Sequence, residues 1–155
     1  MNNVDFFDSL KQSYPSVQIF CNYVRSLGIT DMSLANMDGQ KMGYDVLVKR
    51  TKVEVKLMTY KSMVCLEEVG DMDKPGWMHT SQADILAEVR TDVIYFFNMP
   101  ALQKLYHATK QNYKLRYNRK QTHGRYQDWT SAYYMYPLID LNGFLEIKKI
   151  KLRKD

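Results

Sequence analysis

Two short alternating runs, Gly43-Tyr-Asp-Val-Leu-Val-Lys49 and Lys52-Val-Glu-Val-Lys-Leu-Met58, flank a polar break at Arg50-Thr51. Alternation with a period of two is the pattern of a strand, whose successive side chains point to opposite faces. The runs predict a hairpin that turns near Arg50-Thr51 and place Glu54 and Lys56 on one face. Asp45 lies nine residues before Glu54 and opens the partner strand beside Gly43, where backbone can approach a ligand closely. A hairpin of this kind brings two carboxylates and an ammonium to one sheet edge. Two acids that suit a hard divalent cation, with a lysine beside them, are a minimal kit for phosphodiester hydrolysis. The plainer reading is a wet face on which Lys52, Glu54 and Lys56 form a charge ladder.

The rest of the chain supplies layers for such a sheet. Residues 4–13 are a short helical candidate. Val17, Phe20, Cys21, Val24 and Leu27 follow helical spacing from Pro15 to a stop at Gly28, and so predict an amphipathic helix. Residues 29–42 read as a connecting loop with room for a short strand. Met63–Val69 and Ala83–Val89 read as strands, with a turn-rich segment from Gly70 to Gly76 between them. Val93-Ile-Tyr-Phe-Phe97 is apolar on both faces, which places it inside the sheet. Pro100 opens a second helix carrying Leu102, Leu105, Tyr106 and Thr109. Two terminal strands, Tyr133–Ile139 and Phe144–Leu152, are predicted with a turn at Asn142-Gly143. The order helix, strands, helix, strands implies an α/β fold with a central mixed sheet flanked by helices. At 155 residues the chain reads as one domain, 1–155.

Composition narrows the class. Hydrophobic residues make up 45% and charged residues 25%, as in an ordinary folded protein. Cys21 and Cys65 each lie in an apolar segment with no zinc spacing and read as buried free thiols of a reducing compartment. No signal peptide and no run of 18 apolar residues is present, so the expectation is a cytoplasmic protein with no membrane partner. The formal net charge of +5 favours an anionic partner such as nucleic acid. Between Lys110 and Arg125 there are six basic residues, Lys110, Lys114, Arg116, Arg119, Lys120 and Arg125, with no acid and with Tyr113 and Tyr117 among them. Basic side chains neutralise phosphates and tyrosines stack on bases, so this stretch is a candidate nucleic-acid contact. The bland alternative is a solvated loop. Lys148, Lys149, Lys151 and Lys154 read as the wet face of an edge strand.

Asp45 with Glu54-Val55-Lys56 resembles the active-site signature of the PD-(D/E)xK nuclease superfamily, with Tyr44 standing where the signature has proline. Lys74-Pro-Gly-Trp77 followed by Ser81-Gln-Ala-Asp84 resembles a segment of its small phage and bacterial members, as do Val93–Leu105 and Tyr136-Pro-Leu-Ile-Asp-Leu141. The resemblance covers roughly residues 15–150 in element order. It implies a restriction-endonuclease-like core and a magnesium- or manganese-dependent endonuclease acting on DNA in preference to RNA. Asp45, Glu54 and the Val55 carbonyl would ligate the ion, and Lys56 would position water or stabilise developing charge. Such enzymes often act as dimers, so a homodimer is a further expectation.

Other residues carry weaker expectations. Only one of Glu67 and Glu68 can face the site, and Glu68 is the acid selected here. Trp77 is a candidate base-stacking side chain, although anchoring a loop is its commoner role. Ser81 is a candidate phosphate contact or, with Asp84, a turn residue. Two other classes compete: a nuclease-fold accessory protein that binds nucleic acid without cutting it, and a protein-interaction factor without nucleic-acid affinity.

Overall fold

The computed structural model describes residues 14–70, 73–118, 121–122, 125–126 and 131–152. The helix expected at 4–13 lies outside these residues, as do Arg119 and Lys120. A six-stranded mixed sheet runs in the order β1 (Met32–Leu34), β2 (Val46–Val48), β3 (Thr51–Leu57), β5 (Ile85–Val89), β6 (Val93–Asn98), β11 (Lys148–Lys151). Every neighbouring pair is antiparallel except β3 and β5. A three-stranded sheet runs β4 (Met63–Val69), β10 (Ser131–Pro137), β7 (Leu115–Asn118), and a small ribbon pairs β8 (Gln121–Thr122) with β9 (Arg125–Tyr126).

Helix α1, Pro15–Ser26, forms where the spacing predicted it. Its Val17, Phe20, Cys21 and Val24 are buried against Val53, Val55, Ala87, Val89 and Ile94 on one face of the large sheet. Burying side chains of this size contributes about 1.5–3 kcal/mol each. Leu27, expected on the same stripe, is 57% exposed because the helix has ended before it. The short helix α2 (Met37–Lys41) occupies part of the connection that was read as a loop, with the Asn36 side chain accepting from Gly39 N–H at 2.8 Å.

The opposite face of the large sheet meets helix α4, Met99–Thr109, whose Asn98 cap accepts from Ala101 N–H at 2.9 Å. Leu86, Phe97, Met99, Leu102 and Tyr106 form a second core there with Val64, Leu66 and Tyr136 of the smaller sheet. Core on both sides explains why β6 is apolar throughout. It has β5 and β11 as neighbours, one strand in from the edge.

Three boundaries differ from the sequence reading. The hairpin turns at Lys49-Arg50, since Val48 pairs with Thr51, and Lys49 takes a φ of 55°. The penultimate strand stops at Pro137, and residues 138–144 form helix α5, Leu138–Phe144, so Asn142-Gly143 is helical rather than a turn. Leu138, Leu141 and Leu145 recur at helical spacing and pack into the second core, while Gly143 faces open space. This recurrence overrides the local Asn-Gly signal. The last strand is accordingly only Lys148–Lys151. No helix among the described residues is long and apolar enough to cross a membrane.

Candidate functional site

Glu54 lies in the middle of β3, opposite Leu86 of the parallel neighbour β5 and just past the point where the β2 pairing ends at Val53, and it is only 4% exposed. A carboxylate so placed needs partners. Its Oε1 sits 2.6 Å from the Lys56 ammonium, and Ser81 Oγ is 2.8 Å from Oε2. The same hydroxyl lies 2.6 Å from the Gly43 carbonyl and accepts from Ala83 N–H at 3.3 Å. It has one proton to give, so it serves either Gly43 or Glu54 at any moment.

Gly43 is required at this junction. Its φ of +78° suits glycine, and a Cβ there would meet Ser81 Cα at 2.8 Å. The loop before β2 and the loop before β5 are thus pressed together beside Glu54. Asp45 opens β2 just beyond this contact. Its Oδ2 accepts the Val55 N–H at 2.7 Å, and its backbone N–H donates to Val53 at 2.9 Å. The structure therefore gathers Asp45, Glu54, Val55, Lys56 and Ser81 at one edge of β3.

Electrostatics tie the group together. Burial raises the Glu54 carboxyl above the usual range, against the opposing pull of Lys56 and Ser81, and Asp45 adds to the rise. Burial pulls Lys56 down, but the Glu54 carboxylate outweighs it and the net shift is upward, with smaller help from Asp45 and Glu67. Lys56 is accordingly a permanent cation at neutral pH.

Lys56 also lines a pocket of about 260 Å³ between the end of β3 and the smaller sheet, with Glu67, Trp77, Arg116, Tyr133 and Met135 among its walls. Tyr133 pairs with Glu67 on one side and with Arg116 on the other, which makes a transverse row across that sheet. Arg116 is thereby brought to the site from the basic stretch; Lys114 is exposed on the same strand region and does not line the pocket. Only the backbone of Arg125 is described, in β9.

Trp77 belongs to helix α3, Trp77–Thr80, and is partly buried against the second core, with Lys56 Nζ 5.5 Å from its ring centroid. Its anchoring role is met, and it also lines the pocket. Ser81 holds the backbone and Glu54 together rather than standing free. Asp84 accepts the Lys52 N–H at 2.9 Å, the turn role expected of it.

The acid selection between Glu67 and Glu68 is reversed. Glu68 shares a face with Val64 and Leu66, both fully buried, and points toward α4. There it meets Lys110 Nζ at 2.7 Å, His79 Nε2 at 3.0 Å and the Tyr106 hydroxyl. Burial would raise its pKa, but these three hydrogen bonds outweigh burial and hold it at about 2. Glu67 is the acid on the Lys56 side, where it also accepts the Trp77 N–H at 3.2 Å. The signal available in the sequence was that Glu68 is in phase with Val64 and Leu66, two consecutive aliphatic positions on one face, whereas Glu67 shares its face with Met63, Cys65 and Val69.

Among the described residues no group of three or more His, Cys, Asp or Glu side chains lies close enough to hold a metal ion. Asp45, Glu54 and the Val55 carbonyl are nevertheless hard oxygen donors of the kind magnesium takes, with water and substrate completing its shell. The Lys56 ammonium is the cation seated on Glu54 in this structure.

The molecule is thus an α/β protein with a mixed central sheet flanked by helices and a charged seat at the edge of β3. No family model, curated protein or solved structure matches the chain.

Proposed function

We propose that the protein is a divalent-metal-dependent nuclease of restriction-endonuclease-like fold, with Asp45, Glu54 and Lys56 as its working residues. The observation that carries this reading is the junction of Asp45, Glu54, Lys56 and Ser81, which is buried on its Glu54 side and opens at Lys56 into a pocket. A charge ladder on a wet face would leave Glu54 exposed, and it is not. The mixed sheet with its single parallel junction, β3 beside β5, agrees with the resemblance.

Asp45, through the oxygen not used by Val55, would hold Mg2+ or Mn2+ together with Glu54 and the Val55 carbonyl. A bound divalent ion would supply Lewis-acid polarisation of a phosphate oxygen and a lowered pKa for water. The chain's own contribution is positional. Asp45 is fixed by the Val55 N–H, Glu54 by Ser81 and Lys56. Lys56 stays charged and faces the pocket, where an ammonium stabilises charge that develops on a phosphoryl group. Arg116 offers a second cation to the phosphate, and Trp77 a flat wall for a base or sugar. DNA is favoured over RNA only by the resemblance.

A second reading has one specific observation behind it. Both Glu54 oxygens already have partners, which suits a nucleic-acid-binding protein that does not cut. Incubating the protein with labelled single-stranded, duplex and branched DNA and RNA, with Mg2+, Mn2+ or EDTA, separates the two. Metal-dependent cleavage supports the nuclease. Salt-dependent binding with no cleavage under any metal favours the binding protein.

A further inference from the structure

A larger cleft, of about 720 Å³, lies on the same side of the large sheet at the end of β3 and the β5–β6 turn. Tyr60, Lys61, Tyr95, Lys149 and Lys151 line it, and Asp92 is the only acid among its described lining residues. Three lysines against one aspartate make it electropositive. Arg90 also lines it, with its guanidinium committed to Glu88 and to the Tyr60 and Met63 carbonyls.

The cleft is joined to the candidate site in two ways. Met58, Thr59 and Tyr60 border both the large cleft and the smaller pocket beside Lys56. Register also lines the two up, since Lys56 pairs with Glu88, Glu88 with Tyr95, and Tyr95 with Lys149. These four residues form one transverse row on one face of the sheet. With strands about 4.8 Å apart, Lys149 stands roughly 14 Å from Lys56 along that row.

The walls are held ready. Arg90 is 6% exposed, bonds to Glu88, donates to the carbonyls of Tyr60 and Met63, and lies 5.1 Å from the Tyr95 ring centroid. It pins the loop that presents Tyr60 and Lys61 to the strand that presents Tyr95. Tyr60 is 55% exposed, and Lys149 Nζ lies 5.8 Å from the centroid of the Tyr95 ring.

We propose that this cleft binds a single strand of nucleic acid and leads it to or from the site at Lys56. Lys61, Lys149 and Lys151 neutralise phosphates, and the exposed Tyr60 offers a stacking surface, the combination that recognises single strands without sequence readout. The volume falls in the range of small-ligand pockets, roughly 300–1000 Å³, room for about one or two unstacked nucleotides. The substrate class that follows is a single strand, or a duplex with a frayed or flapped end. The strand's destination rests on the nuclease reading; its binding does not.

The test is fluorescence anisotropy of the full chain in EDTA, with labelled oligothymidylate and a blunt duplex of equal length. The expected result is preference for the single strand. Lys61→Glu, Lys149→Glu and Lys151→Glu together should weaken that binding at least tenfold and reduce the salt slope by about two, at roughly 0.7 per phosphate contact. Tyr60→Ala, on an exposed position that leaves the strand lysines intact, should lose about five- to a hundredfold. A folded triple variant with wild-type affinity and slope overturns the proposal. So does equal loss on the duplex, and so does competition by polyglutamate as strong as by oligonucleotide, which would mark an acidic protein partner. Binding that behaves as expected in a protein that cuts nothing with Mg2+ or Mn2+ sinks the nuclease reading and leaves the cleft standing.

Discussion

Glu54→Gln is the substitution that presses hardest on the site. It keeps the volume and the neighbourhood of Ser81 but removes the negative charge that faces Lys56 at 2.6 Å. Breaking a fully buried ion pair costs about 3–5 kcal/mol. Here the Lys56 side chain is 34% exposed and can turn to water, so the expected loss is smaller, about 1–2 kcal/mol. At about 2–4 °C per kcal/mol for a chain of this size, melting should fall by roughly 2–8 °C. Cleavage should fall far more. The charge that would hold the cation is gone, and single electrostatic contacts at such sites are worth about 10²–10³ in rate. Anisotropy should show unchanged or tighter nucleic-acid binding, since a carboxylate near phosphate has been neutralised. The assay pairs thermal melting with cleavage of a labelled oligonucleotide in Mg2+. A folded variant that cuts within a few-fold of wild type would remove Glu54 from the chemistry.

Three further outcomes follow from named contacts. Ser81→Ala removes the one hydroxyl proton shared between the Gly43 carbonyl and Glu54 and strips the Ala83 N–H of its acceptor, and urea unfolding should register a loss of about 1–3 kcal/mol; an unchanged midpoint would show that the junction is not held by this hydroxyl. Arg90→Ala strands Glu88, 1% exposed, and abandons two backbone carbonyls, so a loss of about 3–5 kcal/mol is expected, with Glu88→Leu on top recovering part of it. Glu68, held at about 2 against an ordinary 4.5, binds fewer protons folded than unfolded, so its contribution is complete above pH 4.5 and is lost as pH falls toward 2. Burial pushes Glu88 the other way, up to about 7, and its contribution is complete below pH 4.5 and declines as pH rises toward 7. Urea midpoints across pH 2–8 for wild type and Glu68→Gln should differ chiefly in the acid limb.

Period and spacing carried much of the architecture. The hairpin, α1 and α4 were legible from alternation or an apolar stripe, and β4, β5 and β6 as short apolar runs bounded by turn residues. The C-terminal region was not, because Pro137 and the Leu138, Leu141, Leu145 spacing compete with an Asn-Gly signal that reads as a turn in isolation. Alternation put Glu54 and Lys56 on one face, while bringing Asp45 to them rested on the expected hairpin and on the resemblance. What alternation could not supply was depth. Glu54 reads identically whether it is wet or buried, and only the parallel partner β5, about 30 residues further on, decides it. The same blindness misassigned Glu67 and Glu68, since facing is local but burial depends on α4. It also hid the row from Lys56 to Lys149, whose members come from four strands.

The contact between Gly43 and Ser81 joins loops 38 residues apart. Bringing them together means closing the parallel junction of β3 with β5, and non-local pairings of this kind form slowly. An unfinished chain still on its way to the native state therefore has its acidic residues without their mutual arrangement. Under the proposed reading, hydrolysis would therefore switch on only with completion of the sheet.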